Sequence, residues 1–281
     1  MTKRKFIPGT EWLYLKIYTG VKTADIILEE ALLSLITDIQ ENNYISKWFF
    51  IRYLDPKPHI RLRFRLRSTE DYNSVIQLVK EALQQYLESG EIISILLDTY
   101  NREVERYGEY TMEESETLFH SNSELTLQCL HFDDEEKIII SLFLIDTFLA
   151  TLGLSIQEKL DWIKDFNEDF KAEFHADKVL NIQLDKKYRA LKPQFLNFLF
   201  SEEYVNEREF IILNIETDRA VLEKIQYHDK NESLGMPLKI FFQSIFHMNI
   251  NRLFVSNQRT FEMIIYDYLL RYYKTNFWLC Q

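Results

Sequence analysis

Residues 47–67 read KWFFIRYLDPKPHIRLRFRLR, and this stretch decides the fold. Residues 47–54 form an apolar, aromatic run of strand length. Asp55-Pro56-Lys57-Pro58 is turn chemistry, a tight connection into a second strand. In that second strand Arg61, Arg63, Arg65 and Arg67 alternate with Leu62, Phe64 and Leu66. Successive side chains leave opposite faces of a strand, so the four guanidinium groups share one face.

Working outward, residues 11–18 (EWLYLKIY) set Leu13, Leu15 and Ile17 against Trp12, Tyr14, Lys16 and Tyr18, a strand ended by Gly20. Residues 23–41 carry Ile26, Ile27, Leu33 and Ile36 at helical spacing, with Thr23 as the expected N-cap. Beyond the arginine strand, Ser68 or Thr69 caps a helix over 68–89, closed by Gly90. Residues 91–100 (EIISILLDTY) are a fourth strand. The order β-α-β-β-α-β predicts an α+β fold with a ferredoxin-like antiparallel sheet. Strands one and three are its central pair, strand four lies beside strand one, and helices cover one face. The other face is left for ligands or a second subdomain.

From residue 111 the pattern is helical. Helices are expected over 112–118, over 133–152, from Ser155 with a capping-box-like spacing to Glu158, over 186–200 with Pro193 inside, and over 203–227. Two more fill 237–273, broken near Val255-Ser256-Asn257. The chain therefore reads as one unit over 1–281: a sheet subdomain over 1–110, followed by and packed against a mainly helical subdomain over 111–281.

Six glycines and five prolines among 281 residues leave little room for linkers or disordered tails, and 46% hydrophobic with 27% charged residues is a globular composition. The net charge of −11 argues against direct nucleic-acid binding and makes the arginine row a local anomaly. Cys129 and Cys280 lie far apart without metal-ligand spacing, which points to a reducing cytoplasm without a disulfide framework. No apolar targeting segment opens the chain, and no stretch reaches membrane-spanning length. The expected setting is cytoplasmic.

A row of planar guanidinium forks suits a carboxylate or phosphate; the same row could instead pair with the many Asp and Glu side chains of a solvated face. Residues 100–108 (YNREVERYG) place Arg106 within reach of the row and Glu103 beside it, or form only a surface turn with an i, i+3 ion pair. His247, amid Phe241, Phe242, Ile245 and Leu253, is either a core histidine or the imidazole that moves protons near neutrality, with His59 as competitor. Glycine-rich phosphate loops, H-E-x-x-H and G-x-S-x-G are absent, which removes most ATPases, dehydrogenases, zinc proteases and α/β-hydrolases. No metal or cofactor site is expected.

Four segments occur in order: PHIRLRFR at 58–65, Y-x-R-E-x-E-R-Y-G at 100–108, the Met112-Glu113-Glu114-Ser115-Glu116 helix with Phe119, and H-M-x-x-N-R at 247–252. Together they resemble the C-terminal glutamate-elimination domain of class I lanthipeptide dehydratases, which also occurs as a stand-alone protein in split lanthipeptide and thiopeptide pathways. The resemblance implies a lyase. A separate glutamylation subunit uses glutamyl-tRNA to esterify Ser and Thr of a precursor peptide, and the elimination domain expels glutamate to leave dehydroalanine or dehydrobutyrine. By position it implies roles for Arg61, Arg63, Arg106 and His247, with Glu103, His59 and Arg252 in support. The sequence departs from the family at Gly108-Glu109, where Gly-Gly is frequent, and at Asn122-Ser123, where Asp-Ser is usual.

Two other functions stay open. A thiopeptide pyridine synthase of the same fold joins two dehydroalanines by a formal [4+2] cycloaddition and expels the leader peptide. A non-catalytic subunit would bind the precursor peptide along a sheet edge by β-augmentation. Retention of all four implied elimination residues favours the lyase. Whether a cyclase binds, and whether the chain forms a homodimer, is not legible.

Overall fold

The computed structural model describes residues 2–279, with side chains through residue 275; Cys280 lies outside the described residues. The chain runs through β1 (Lys5–Phe6), β2 (Trp12–Thr19), α1 (Thr23–Ile26), a π-helical segment (Ile27–Leu32), α2 (Leu33–Glu41), β3 (Ile45–Tyr53), β4 (His59–Leu66), α3 (Tyr72–Glu88), β5 (Ile92–Leu97), β6 (Tyr100–Asn101), α4 (Val104–Tyr107) and α5 (Met112–Gln128). Then follow α6 (Asp134–Thr151), α7 (Ile156–Glu173), α8 (Lys178–Phe200), α9 (Val205–Thr217), α10 (Arg219–Lys230), α11 (Leu238–Leu253) and α12 (Gln258–Leu279).

The four-stranded sheet has the order β3-β4-β2-β5, and each neighbouring pair is antiparallel. This is the ferredoxin-like arrangement that the element order predicts. The apolar parity of each strand faces the helices. Leu13, Leu15, Ile17, Leu62, Phe64, Trp48 and Phe50 are fully or almost fully buried in one core with Leu28, Leu32 and Ile39 of the first helical run and Val75, Val79 and Leu83 of α3. Each such side chain contributes on the order of 1.5–3 kcal/mol when withdrawn from water. Register is therefore tightly specified: a slip of one residue would move the arginines into that core.

Several boundaries differ from expectation for local reasons. Thr23 is the first helical residue, not the cap, and the cap position is Lys22 without a side-chain bond. Ser68 does cap, accepting from Glu70 N–H, and Gly90 takes the left-handed conformation past α3. The fourth strand stops at Leu97 because Asp98 turns aside to pair with Lys16 at 2.5 Å and to accept from Thr99 N–H. Tyr100 and Asn101 then form a separate two-stranded ribbon with Lys5 and Phe6. The helix expected over 112–118 continues to Gln128, and the one expected from 186 begins at Lys178 under an Asp177 cap. The long helix expected over 203–227 is broken between Thr217 and Arg219.

The chain forms two compact units, one of residues 1–130 with 223–256 and one of residues 131–222 with 257–281. Residue 110, where the subdomain boundary is expected, falls inside the first unit, because α5 and α11 pack on β3. They also close the sheet edge there. Ser123 Oγ accepts from Phe50 N–H, Arg252 Nε donates to the Phe50 carbonyl at 2.7 Å, and Asn251 exchanges two bonds with the Arg52 backbone at 2.9 and 3.0 Å. His120 Nδ1 lies 3.1 Å from the Trp48 carbonyl. In the second unit Asp133 and Ser155 make complete capping boxes for α6 and α7, and Tyr266 of α12 packs on Phe166 and Phe170.

Candidate active site

Arg63 is the centre of the polar sheet face. Tyr14 of β2 and Phe49 of β3 lie directly opposite it across the two ladders. Its guanidinium carbon is 4.4 Å from the Tyr14 ring centre, 5.2 Å from Phe49 and 4.8 Å from Tyr100. The residue is only 7% exposed, makes no ion pair among the described residues, and its Nε has no hydrogen-bond partner. Three ring faces stabilise the cation without occupying its N–H groups. Arg63 borders a cavity of about 30 Å³ that Tyr100, Glu103, Tyr107, Phe119 and Met248 also line.

Arg61 occupies a second station on the same face, two residues along the strand. It lies 3.4 Å over the Tyr53 ring and donates through Nε to His59 Nε2 at 3.1 Å. His59 Nδ1 is 2.8 Å from the Lys57 carbonyl. Accepting at Nε2 and donating at Nδ1 requires the neutral Nδ1–H tautomer. Burial holds the His59 pKa below its ordinary value, and Arg61 and Lys16 push in the same direction. His59 therefore meets Arg61 as a neutral imidazole that accepts its Nε–H. The other two arginines of the row are engaged elsewhere: Arg65 faces Glu113 at 3.6 Å, and Arg67 donates to the Ile45 carbonyl.

Arg106, on the single turn of α4, pairs loosely with Glu103 at 3.6 Å and lies over Tyr107. Tyr107 lies beneath Arg106 and lines the cavity with Arg63. Its phenol is buried and pushed well above its ordinary pKa by that burial, while the charges of Arg106, Arg252 and Arg63 all act on it. The Cα of Gly108 takes a positive φ of 78°, and a side chain there would collide with the Leu234 carbonyl, so glycine is required to turn the chain after Tyr107.

Arg252 is fully buried, bound to the Phe50 carbonyl, to Asn122 Oδ1 at 3.2 Å and to the Met248 carbonyl at 3.0 Å. Burial draws its pKa down to about 9, so it remains a cation at neutral pH. It pins α11 against β3 and α5. His247 is half-buried on α11, one turn before Asn251 and next to Met248, which lines the cavity. Arg63, Glu103 and Tyr107 thus line one cavity, with Arg106 over the Tyr107 ring, whereas Arg61 stands apart beside Tyr53 and His59, and of the His247 turn it is Met248 that lines the cavity.

The sequence reading missed the aromatic floor. Tyr14 and Phe49 share the parity of the arginine row on neighbouring strands, and that register was the available signal. It also missed a buried ion pair: Arg102 donates through Nε and Nη2 to both Glu116 oxygens at 2.7 Å, and Tyr100 OH donates to Glu116 at 2.9 Å. His120 and His228 bond the Trp48 backbone and Ser233 respectively. Among the described residues no cluster of His, Cys, Asp or Glu is arranged to hold a metal ion, and no helix is long and apolar enough to cross a membrane.

Residues 12–273 match the family model described as the lantibiotic biosynthesis dehydratase C-term. The nisin biosynthesis protein NisB of Lactococcus lactis subsp. lactis is 31% identical over 296 aligned residues, covering 96% of this chain and 26% of the relative. The chain spans about a quarter of the length of the curated relatives it matches. Among solved structures, the tRNA-dependent lantibiotic dehydratase MibB from Microbispora sp. 107891 superposes with a TM-score of 0.69 at 17% identity, over 95% of this chain and 28% of that one. The pyridine synthase TbtD from thiomuracin biosynthesis also gives 0.69, at 10% identity, over 95% of this chain and all of that one.

Proposed function

The chain belongs to the lantibiotic biosynthesis dehydratase C-terminal family, and from that premise we propose that it eliminates glutamate from glutamylated Ser and Thr residues of a ribosomal precursor peptide. The observation that carries this reading is Arg63: a nearly buried guanidinium held by three rings, with no carboxylate of its own, opening on a small cavity. Such a cation is prepared for an external anion.

In the reaction a base takes the Cα proton, the C–H electron pair becomes the Cα=Cβ bond, and the Cβ–O bond breaks to release the glutamate carboxylate. Negative charge grows first on the adjacent backbone carbonyl and then on the leaving group. Arg63 and Arg61 stabilise that charge from the sheet face and Arg106 from α4. His247 moves the proton, Glu103 holds Arg106, His59 holds Arg61, and Arg252 fixes the helix that carries His247. Removing one preorganised donor of this kind costs ~10²–10³ in rate. The partners implied are the glutamylated peptide and a separate polypeptide that glutamylates it from glutamyl-tRNA.

Pyridine synthesis is the second reading, since TbtD shares the fold over its whole length. The test incubates purified protein with a Ser-glutamylated synthetic precursor and follows mass and free glutamate. Release of one glutamate per site is expected, with a fall of ~10²–10³ in Arg63→Lys, because an ammonium on a flexible stem does not reproduce a stacked planar fork. Activity confined to a multiply dehydrated peptide would favour cycloaddition, and binding without either reaction would favour the peptide-binding subunit.

A further inference from the structure

Arg63 has no carboxylate partner, yet its guanidinium is held in one place. A direct ion pair would neutralise it and compete with any incoming anion, so whatever fixes it has to act from outside its N–H groups. The nearest anchor is one ring away. Tyr100 lies 4.8 Å beneath the guanidinium, and its hydroxyl donates to Glu116, whose carboxylate is gripped by the two-pronged Arg102. Glu116 is 0% and Arg102 6% exposed. Burial keeps the Tyr100 phenol well above its ordinary pKa, so it is a hydrogen-bond donor at neutral pH.

We propose that Glu116 is a positioning residue for Arg63, acting through Tyr100, with Arg102 as its counter-charge. Three considerations carry this. A buried ion pair is weak evidence for stability, because a well-packed apolar pair of similar volume is often as stable or more so. Its distinctive contribution here is direction: both Glu116 oxygens are fixed by Arg102, so the Tyr100 hydroxyl can point only one way. And a phenol donating to a carboxylate gains phenolate character, which deepens the negative face of the ring on which the cation lies. The Y-x-R segment at 100–102 and the α5 segment ending at Glu116 are then one device serving the arginine strand.

The proposal rests on the elimination reading only for its kinetic arm. The test compares wild type with Tyr100→Phe, which keeps the ring and loses the bond, and Glu116→Gln, which keeps the shape and loses the charge. The Nε–H signal of Arg63, assigned by its disappearance in Arg63→Lys, reports the position of the guanidinium through ring-current shift and exchange rate. In folded variants the upfield displacement of that signal should shrink and exchange should quicken. In parallel, kcat for glutamate release should fall roughly ten- to a hundredfold with KM little changed, the signature of a misplaced transition-state contact. If Glu116→Gln does not fold, Tyr100→Phe decides alone. An unchanged Arg63 signal in a folded variant overturns the proposal whatever the activity. A displaced signal in protein whose wild type releases no glutamate upholds the positioning and overturns the elimination reading instead.

Discussion

At the scale of single residues, His59 ties the protonation of one imidazole to the stability of the fold. Its Nε2 accepts from Arg61, and protonation would place a positive charge against that guanidinium. Burial lowers its folded pKa, whereas the unfolded chain binds a proton near the ordinary value of about 6.5. Between those two values the unfolded state holds more protons, so stability rises with pH there. It is complete above about 6.5 and is lost as pH falls toward the folded pKa. His120, also lowered by burial, acts with the same sign. The melting temperature should therefore drop between pH 7.5 and 5.5, and drop less in His59→Gln. Parallel melting curves for the two proteins would show that His59 does not titrate with folding.

At the scale of elements, β3 is an edge strand protected by side chains rather than by another strand. Asn251 supplies two of the bonds that close it, both to the Arg52 backbone. Asn251→Ala should cost about 1–3 kcal/mol in denaturant unfolding, the range for orphaning buried backbone groups, and should speed amide exchange at Arg52 while leaving Leu62 protected. Uniform exchange at both would mean the edge needs no such closure. This closure also explains what the sequence withheld. The sheet was legible because alternation in β2 and β4 answers directly to one buried and one polar face. The second half of α5 was not, because Ser121, Asn122 and Ser123 are polar yet buried. Asn122 accepts from Arg252 and Ser123 from Phe50, so their polarity serves the strand edge and erases helical periodicity. The β1–β6 ribbon, two residues on each side, is too short to show any period. In the site, the arginine row was visible by spacing. The distinction between its members depends on partners from other elements: Glu113 for Arg65, rings for Arg63 and His59 for Arg61.

At the scale of the whole molecule, the chain combines a net charge of −11 with one strand of concentrated arginine. Non-specific nucleic-acid affinity scales with the number of phosphates that cations neutralise. Here Arg65 and Arg102 already face carboxylates, Arg106 is loosely paired, and Arg63 is sunk among rings. What is left suits a single carboxylate more than a run of phosphates. The chain alone should therefore release glutamate from a pre-glutamylated precursor but should neither bind glutamyl-tRNA nor transfer glutamate from it. Gel shifts with glutamyl-tRNA at about 0.15 M salt, where exposed charges are screened beyond ~8 Å, paired with mass spectrometry of unmodified precursor, check both halves. A retarded tRNA band or any glutamylated peptide would show that the net negative charge does not keep the nucleic acid away. Absence of both, together with glutamate release from the modified peptide, would place the two half-reactions on different polypeptide surfaces. On the elimination proposed above, the labile glutamyl ester would then have to pass from one surface to the other, and the arginine face would supply the charge that receives it.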